Sequence, residues 1–405
     1  MNILFVHPNF PGQFLHLARY FGRQGTHRVY FLTKNTHGNR LENVTIGVYK
    51  ASREATKEIH PYVKLMEEAV LDGQAVARAM VNLRDKQNFV PDVIVAHTGW
   101  GGILYAKDVY PEVPLVGYFE WYYRTYGSDV CYWPSDVVSD NTKLRIRTMN
   151  AHHLLSLEQC DVRLTPTQWQ RQQFPVHYQE GMHVIHEGVD LEFCTPDHGK
   201  KLVLPEKKLD LSGAKEIITY VSRGFEPYRG FPQFMEALRI LLPKRPDCHV
   251  VMVGQDGTFY GPSPAPDKTW HQLEEEKGGY DKSRVHFVGH CDRGSYRTIL
   301  QASTVHVYLT RPFVLSWSML EAMAFECCLV ASKTPPVEEA VEDGKDALLV
   351  NFLSPEHIAM RIEEALDDPE LRRRLGKAAR QTILDRYDAR ECVRRQVNMI
   401  YGAMK

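Results

Sequence analysis

The sequence predicts an α/β protein made of two doubly wound, Rossmann-like domains in series. Three observations carry this. Short unbroken apolar runs alternate with stretches of helical periodicity, the pattern of strands covered by helices on both faces. The alternation lapses once, between about Thr195 and Lys215, where Pro, Lys and Asp take over, and then resumes. The length, 405 residues, suits two such domains.

Taken in order, Asn2–Val6 is the first buried strand, followed by a breaker-rich loop, His7 to Gly12. Phe14, Leu17, Ala18 and Phe21 share one helical face, and Arg28–Leu32 is the next strand. Pro61 opens a long helix with Val63, Met66, Val70 and Val76 near one stripe. Strands are expected at 93–97, 115–119, 162–165 and 184–186. Beyond the linker, strands follow at 217–221, 249–254, 284–289, 304–308 and 328–332, and helices at 355–367, 369–386 and 389–404. Two such domains facing across a cleft suit a ligand held at strand C-termini.

Composition narrows the function. Lys and Arg total 49 against 50 Asp and Glu, which argues against a dedicated nucleic-acid partner. No run is long and apolar enough to span a membrane, and the N-terminus lacks the basic start of a signal peptide. The expected location is the cytoplasm, at most peripheral to the inner face of a membrane. The 8 Cys form no C-x-x-C pair, so reduced thiols are expected. A structural metal is not expected: His152 and His153 are adjacent and project differently from a helix, and His286 and His290 lack supporting ligands. A dinucleotide site is disfavoured because the first loop has Gly12 alone where G-x-G-x-x-G would stand.

Two segments of the second half carry chemistry. Ser222–Gly230 follows a strand and sets Arg223 and Arg229 on a bent loop, where two guanidinium forks can meet one polyphosphate; a solvated basic loop is the alternative. Thr310–Ala324 reads as loop then helix. Ser316 or Ser318 can cap it, its free N–H groups suit an anion, and Glu321 lies one turn inside, where a carboxylate can accept both hydroxyls of a diol.

These segments, with others in the same order, resemble the retaining GT-B glycosyltransferases of family 4. Val184–Asp190 is similar to the family's V-I-P-N-G-V-D, Arg223 and Arg229-Gly230 to its G-R…K-G loop, Leu320–Ala324 to L-E-A-M-A, and Glu339 to Val350 to P-E-V-V-E-D-G-x-x-G-L-L-V. Asp367–Leu371 matches its ending. The resemblance implies a nucleotide-diphosphate sugar donor, UDP ahead of GDP by family habit, and no metal or other cofactor. It implies that Arg223 and Arg229 neutralise the diphosphate, that the helix start at Leu315, Ser316 and Trp317 donates N–H groups to it, and that Glu321 holds the ribose. His290 and Cys291 would pass near the base, and Gly12 would let backbone approach the phosphates. The implied domains are 1–200, joined by a returning helix at about 386–405, and 201–385.

Two departures stand out. The family's first glutamate, facing the donor sugar, is Phe313 here, with Val314 and Ser316 where glycines stand, and its Gly-Gly is Pro335-Pro336. A catalytically silent nucleotide-sugar or glycan-binding subunit is therefore the competing reading. In the first half, Tyr118–Trp133 is dense in aromatics interleaved with polar residues, suited to a sugar or amphipathic acceptor or to packing. Thr165–Gln170 and Phe174-Pro175 resemble a bacterial subgroup's acceptor side. Glu120 occupies the place of a family histidine at a strand end, so it is expected to orient the acceptor hydroxyl, with a structural pair to Arg124 as the alternative. The acceptor class, whether sugar, lipid-linked, protein or small molecule, stays open.

Overall fold

The computed structural model describes residues 1–134 and 136–404. Lys405, the last residue of the expected returning segment, lies outside the described residues. The chain forms two compact units, Met1–Gly188 with Ala389–Lys405, and Val189–Asp388.

The first unit is a seven-stranded parallel sheet: β1 (Asn2–Val6), β2 (Arg28–Thr33), β3 (Val44–Val48), β4 (Val93–His97), β5 (Leu115–Tyr118), β6 (Val162–Thr165) and β7 (Met182–Val184). Its order is β3-β2-β1-β4-β5-β6-β7, so the connections reverse direction between β1 and β4. The unbroken apolar run of β1 follows from burial on both faces. Ile3 and Phe5 pack with Phe14, Phe21, Val393, Val397 and Ile400, while Leu4 and Val6 pack with Val76, Met80 and Leu83. The C-terminal helix Ala389–Ala403 thus completes this core. Ile400 is fully buried there, so Ile400→Ala should cost about 2–5 kcal/mol.

The second unit holds the hairpin β8 (Val203–Leu204) and β9 (Leu209–Asp210), and a six-stranded parallel sheet of β10 (Glu216–Gly224), β11 (Cys248–Gln255), β12 (Val285–Gly289), β13 (Val305–Tyr308), β14 (Leu329–Ser332) and β15 (Leu348–Val350). The order β12-β11-β10-β13-β14-β15 places the reversal between β10 and β13.

Several expectations are corrected. The second unit starts at Val189, earlier than the expected boundary at 201, because 189–195 is strapped onto it: Val189 N–H donates to Tyr387 O (2.7 Å), and Arg297 and Arg380 bond the carbonyls of Phe193 and Cys194. The strand expected at 184–186 lies at Met182–Val184. The helix expected from Pro61 runs Lys64–Gln87 and buries Ala69, Leu71, Ala75, Val76, Met80 and Leu83; Val63 precedes it and is exposed. Strand β3 lies at the sheet margin with little burial, so its sequence carries no clear apolar signal. His152 and His153 do not diverge: both are buried with ring centroids 4.1 Å apart. Among the described residues no helix is long and apolar enough to cross a membrane, and no group of three or more His, Cys, Asp or Glu is arranged to hold a metal.

Candidate active site

In each unit, the loops leaving the two strands at the reversal point gather the polar side chains, as the rule for ligand sites in open α/β sheets requires.

In the first unit these loops follow β1 and β4, with β5 beside them. His7 follows β1 directly. Its Nδ1 accepts the Asn9 N–H (2.9 Å), so its Nε2 carries the proton and donates to Gln13 Oε1 (2.7 Å). The Gln13 amide is thereby oriented, and its Nε2 donates to Glu120 Oε1 (2.8 Å). His97, at the end of β4, accepts the Gly99 N–H at Nδ1 (3.0 Å), which turns its Nε2 toward Glu120 Oε2 at 3.5 Å, an ion-pair distance and not a hydrogen bond. Glu120 therefore projects from the end of β5 between a fixed amide and a fixed imidazole, with its side chain 31% exposed. Burial pushes its carboxyl up, but His97 and the Gln13 hydrogen bond outweigh this and hold it below the usual glutamate value. Burial and neighbouring His97 push His7 down to about 3, which fits its role as a neutral donor. The expected alternative partner, Arg124, bonds the Gln172 carbonyl instead (3.4 Å).

Gly12 sits at φ +51°, and a Cβ there would meet the His7 ring at 2.5 Å, so glycine is required to seat the imidazole. Trp100 closes the same corner, its ring centroid 4.5 Å from His97 and 5.3 Å from His7. Tyr118, on β5, donates to Glu187 Oε1, and His186 Nε2 lies 3.3 Å from Glu187 Oε2. Of the aromatic run, Tyr118, Phe119 and Trp121 are buried in this unit, while Tyr126 is exposed.

In the second unit the loops follow β10 and β13. The structure separates the two arginines expected to act side by side. Arg223 is exposed, its Cζ 4.6 Å from the Phe259 ring centroid. Arg229 is 5% exposed, and its Nη1 donates to Tyr308 Oη (3.0 Å), Thr310 Oγ1 (2.8 Å) and Val314 O (3.2 Å). A guanidinium so engaged fixes the loop after β13 before it serves any ligand. The start of the helix Trp317–Ala324 is likewise partly committed. Ser316 N–H donates to Tyr308 Oη (2.9 Å), Ser316 Oγ caps Ser318 N–H (3.3 Å), Leu315 is buried and Trp317 is 46% exposed.

Glu321 lies one turn inside that helix, and its Oε2 accepts the Tyr296 hydroxyl (2.7 Å). Burial raises its carboxyl above the usual value against the pull of Tyr296 and Arg293. Phe313 stands edge-on to Tyr228 (5.7 Å) and Tyr260 (5.2 Å), forming an aromatic wall. His290 and Cys291 follow β12, the margin of the sheet, with β11 between them and the Arg223 strand. His290 is exposed, its carbonyl accepting from Lys207 Nζ (3.1 Å), and burial pushes the Cys291 thiol up.

Sequence reasoning passed over Glu226, which lies between the two arginines. Its carboxylate is fully buried and accepts the N–H groups of Phe259, Tyr260 and Gly261 at 3.2, 3.0 and 3.2 Å, holding that loop beneath Arg223. It also passed over His7, Gln13, His97 and Trp100. The available signal was positional, since each follows or ends a strand at the reversal point.

Two family models match the chain, that of the glycosyl transferase family 4 group over residues 25–194 and that of the glycosyl transferases group 1 over residues 205–382. D-inositol 3-phosphate glycosyltransferase of Corynebacterium glutamicum is 24% identical over 226 residues, 55% of this chain and 53% of that protein. The chain spans about half, or less, of the length of the curated relatives it matches. Among solved structures, Anabaena HepE in complex with UDP-glucose superposes with a TM-score of 0.68 at 17% identity, covering 99% of this chain and 100% of that one. Sucrose-phosphate synthase from Thermosynechococcus elongatus superposes with a TM-score of 0.69 at 17% identity, covering 98% of each chain. Both share their fold with this chain.

Proposed function

Since the chain belongs to the group 1 glycosyltransferases of the family 4, GT-B type, we propose that it moves a sugar from a nucleotide-diphosphate sugar to an acceptor, with retention and without a metal. The observation that carries this reading is one sheet margin that gathers an exposed Arg223, the start of the helix Trp317–Ala324 and a carboxylate, Glu321, one turn inside it. Arg223 and the helix dipole stabilise the leaving diphosphate. Arg229 contributes charge from behind while holding the loop. In this reading Glu321 accepts the two ribose hydroxyls, with Tyr296 yielding or sharing Oε2. The bond from the sugar C1 to the phosphate breaks as the bond to the acceptor oxygen forms on the same face, and the acceptor proton passes to the leaving diphosphate. Glu120, ionised and held by Gln13 and His97, orients the acceptor hydroxyl and stabilises positive charge developing on the sugar ring.

The test is incubation of the whole chain with UDP- and GDP-sugars. Nucleoside diphosphates and their sugars should raise the melting temperature, and the preferred donor should be hydrolysed slowly, releasing a sugar of unchanged anomeric configuration by NMR. No binding by any nucleotide sugar would end this reading. Binding without hydrolysis or transfer would leave the silent-subunit reading, for which the aromatic wall at Phe313 is the motive.

A further inference from the structure

A second cavity opens at the same margin of the first unit, around the loops that leave β2, β3 and β4. It measures about 830 Å³, within the range of small-molecule sites. Its wall reaches the candidate centre, because Trp100 lines the cavity and packs on His97, which faces Glu120.

The charge of this cavity is unbalanced. Five cations, Lys34, Lys50, Arg53, Lys57 and Lys64, line it against three carboxylates, Glu54, Glu68 and Asp72. Asp72 is taken by Lys34 (2.8 Å), Glu68 faces Lys64 (3.9 Å), and Arg53 is held by Glu67 (2.6 Å). Lys50 and Lys57 extend exposed side chains at the rim, with no carboxylate in salt-bridge range among the described residues. The long helix Lys64–Gln87 begins at this rim, its N-cap Val63 supplies no side-chain cap, and its first turn adds the positive end of a 24-residue dipole. The half-exposed indole of Trp100 also lines the cavity, a flat surface for the apolar face of a ring.

We propose that this cavity is the acceptor site and that the acceptor is anionic: a sugar or polyol bearing a phosphate or carboxylate. Its ring lies against Trp100 with a hydroxyl toward Glu120, and its anion meets Lys50, Lys57 and the helix start. This rests on the glycosyl-transfer reading for the role of Glu120, but the cavity's preference for an anion is measured without any donor.

The experiment is titration of the full chain, free of nucleotide, with glucose, glucose 6-phosphate, glucuronate and inorganic phosphate, followed by calorimetry and thermal shift. The acids should bind at least about tenfold more tightly than glucose, and phosphate should compete with glucose 6-phosphate. The double variant Lys50→Gln/Lys57→Gln, altering exposed side chains only, should lose about tenfold in affinity for the acids and keep its affinity for glucose. The glucose 6-phosphate and glucuronate arms tell which anion is preferred. Equal affinity for glucose and glucose 6-phosphate would overturn the proposal. So would acid binding that survives in the double variant and disappears in Arg223→Ala, since that anion would sit in the second unit. Either result leaves nucleotide-sugar binding untouched, so the two readings fail separately.

Discussion

The two units gather polar side chains at their strand ends by the same topological rule and surround their reversal points with different chemistry. In the first unit, the segments after β5 and β7 carry carboxylates, Glu120 and Glu187, each facing a histidine whose Nδ1 is fixed by a backbone N–H two residues on. In the second, the loops at the β10/β13 reversal carry Arg223, Arg229 and Arg311 among aromatic rings. The comparison teaches that the fold supplies a location and the loops supply the charge.

The sharpest way to break this division is Glu120→Gln. The variant should fold, bind nucleoside diphosphates as before, and lose about 10²-fold or more in turnover. Unchanged turnover per folded molecule would return Glu120 to a structural role and leave the first margin without its carboxylate.

The next effect separates the arginines within the second margin. Arg223→Ala should lower turnover by about 10²-fold with no change in melting temperature, because its exposed side chain supports little packing. Arg229→Ala should destabilise the protein by about 2–4 kcal/mol, because it strands Tyr308, Thr310 and the Val314 carbonyl. Chemical denaturation beside initial rates measures both. Matching losses of stability in the two variants would erase the distinction.

Glu321 offers a smaller effect with a definite sign. Glu321→Gln should weaken nucleoside diphosphate binding by about 1–3 kcal/mol. Its carboxyl is raised in the folded chain, so the folded state binds that proton more readily than the unfolded chain. The stability due to the group is present at low pH and is lost as pH rises from the ordinary glutamate value through the raised one. The glutamine variant removes this loss. Its melting temperature should be higher than the parent's at pH 7, and the difference should shrink toward acid pH where both are neutral. A lower melting temperature at pH 7 would show that the ionised form stabilises the fold.

The smallest effect sharpens the first margin. Gln13→Ala removes one of the groups that hold the Glu120 carboxyl down, so the acid limb of kcat/KM should move to higher pH, with a loss of about tenfold at neutral pH. A uniform loss with an unmoved limb would mean that Gln13 only packs.

Much of this organisation was legible in the sequence. The helices at 355–367 and 369–386 lie where periodicity put them, because each has local signals: Ser354 and Asp368 cap them, accepting from His357 N–H (3.2 Å) and Leu371 N–H (2.9 Å), and a proline follows each cap. Most buried strands of both sheets were equally plain, since a strand covered on both faces must be apolar throughout, but β15, only three buried residues long, was not read as a strand. The positions of Arg223, Glu120 and Glu321 at strand ends or one turn into a helix also follow from local pattern. Strand β3 was not legible, being half-exposed, and the stripe assigned to the first long helix was displaced because its buried face includes Asp72 and Gly73.

The sequence by itself therefore determined the two α/β series and the order of most of their elements, properties of residues within a few positions of one another. Only the tertiary structure decided what those side chains meet. Gln13 reaches Glu120 across 107 positions, Arg229 reaches Thr310 across 81, and Glu226 reaches Phe259 across 33. Periodicity reports which face of an element is buried, but the partner of a polar group is fixed by which strands lie side by side. That order is set by the packing of the whole sheet, and it surrounds Arg229 with Tyr308, Thr310 and Val314 and sets Glu120 between Gln13 and His97.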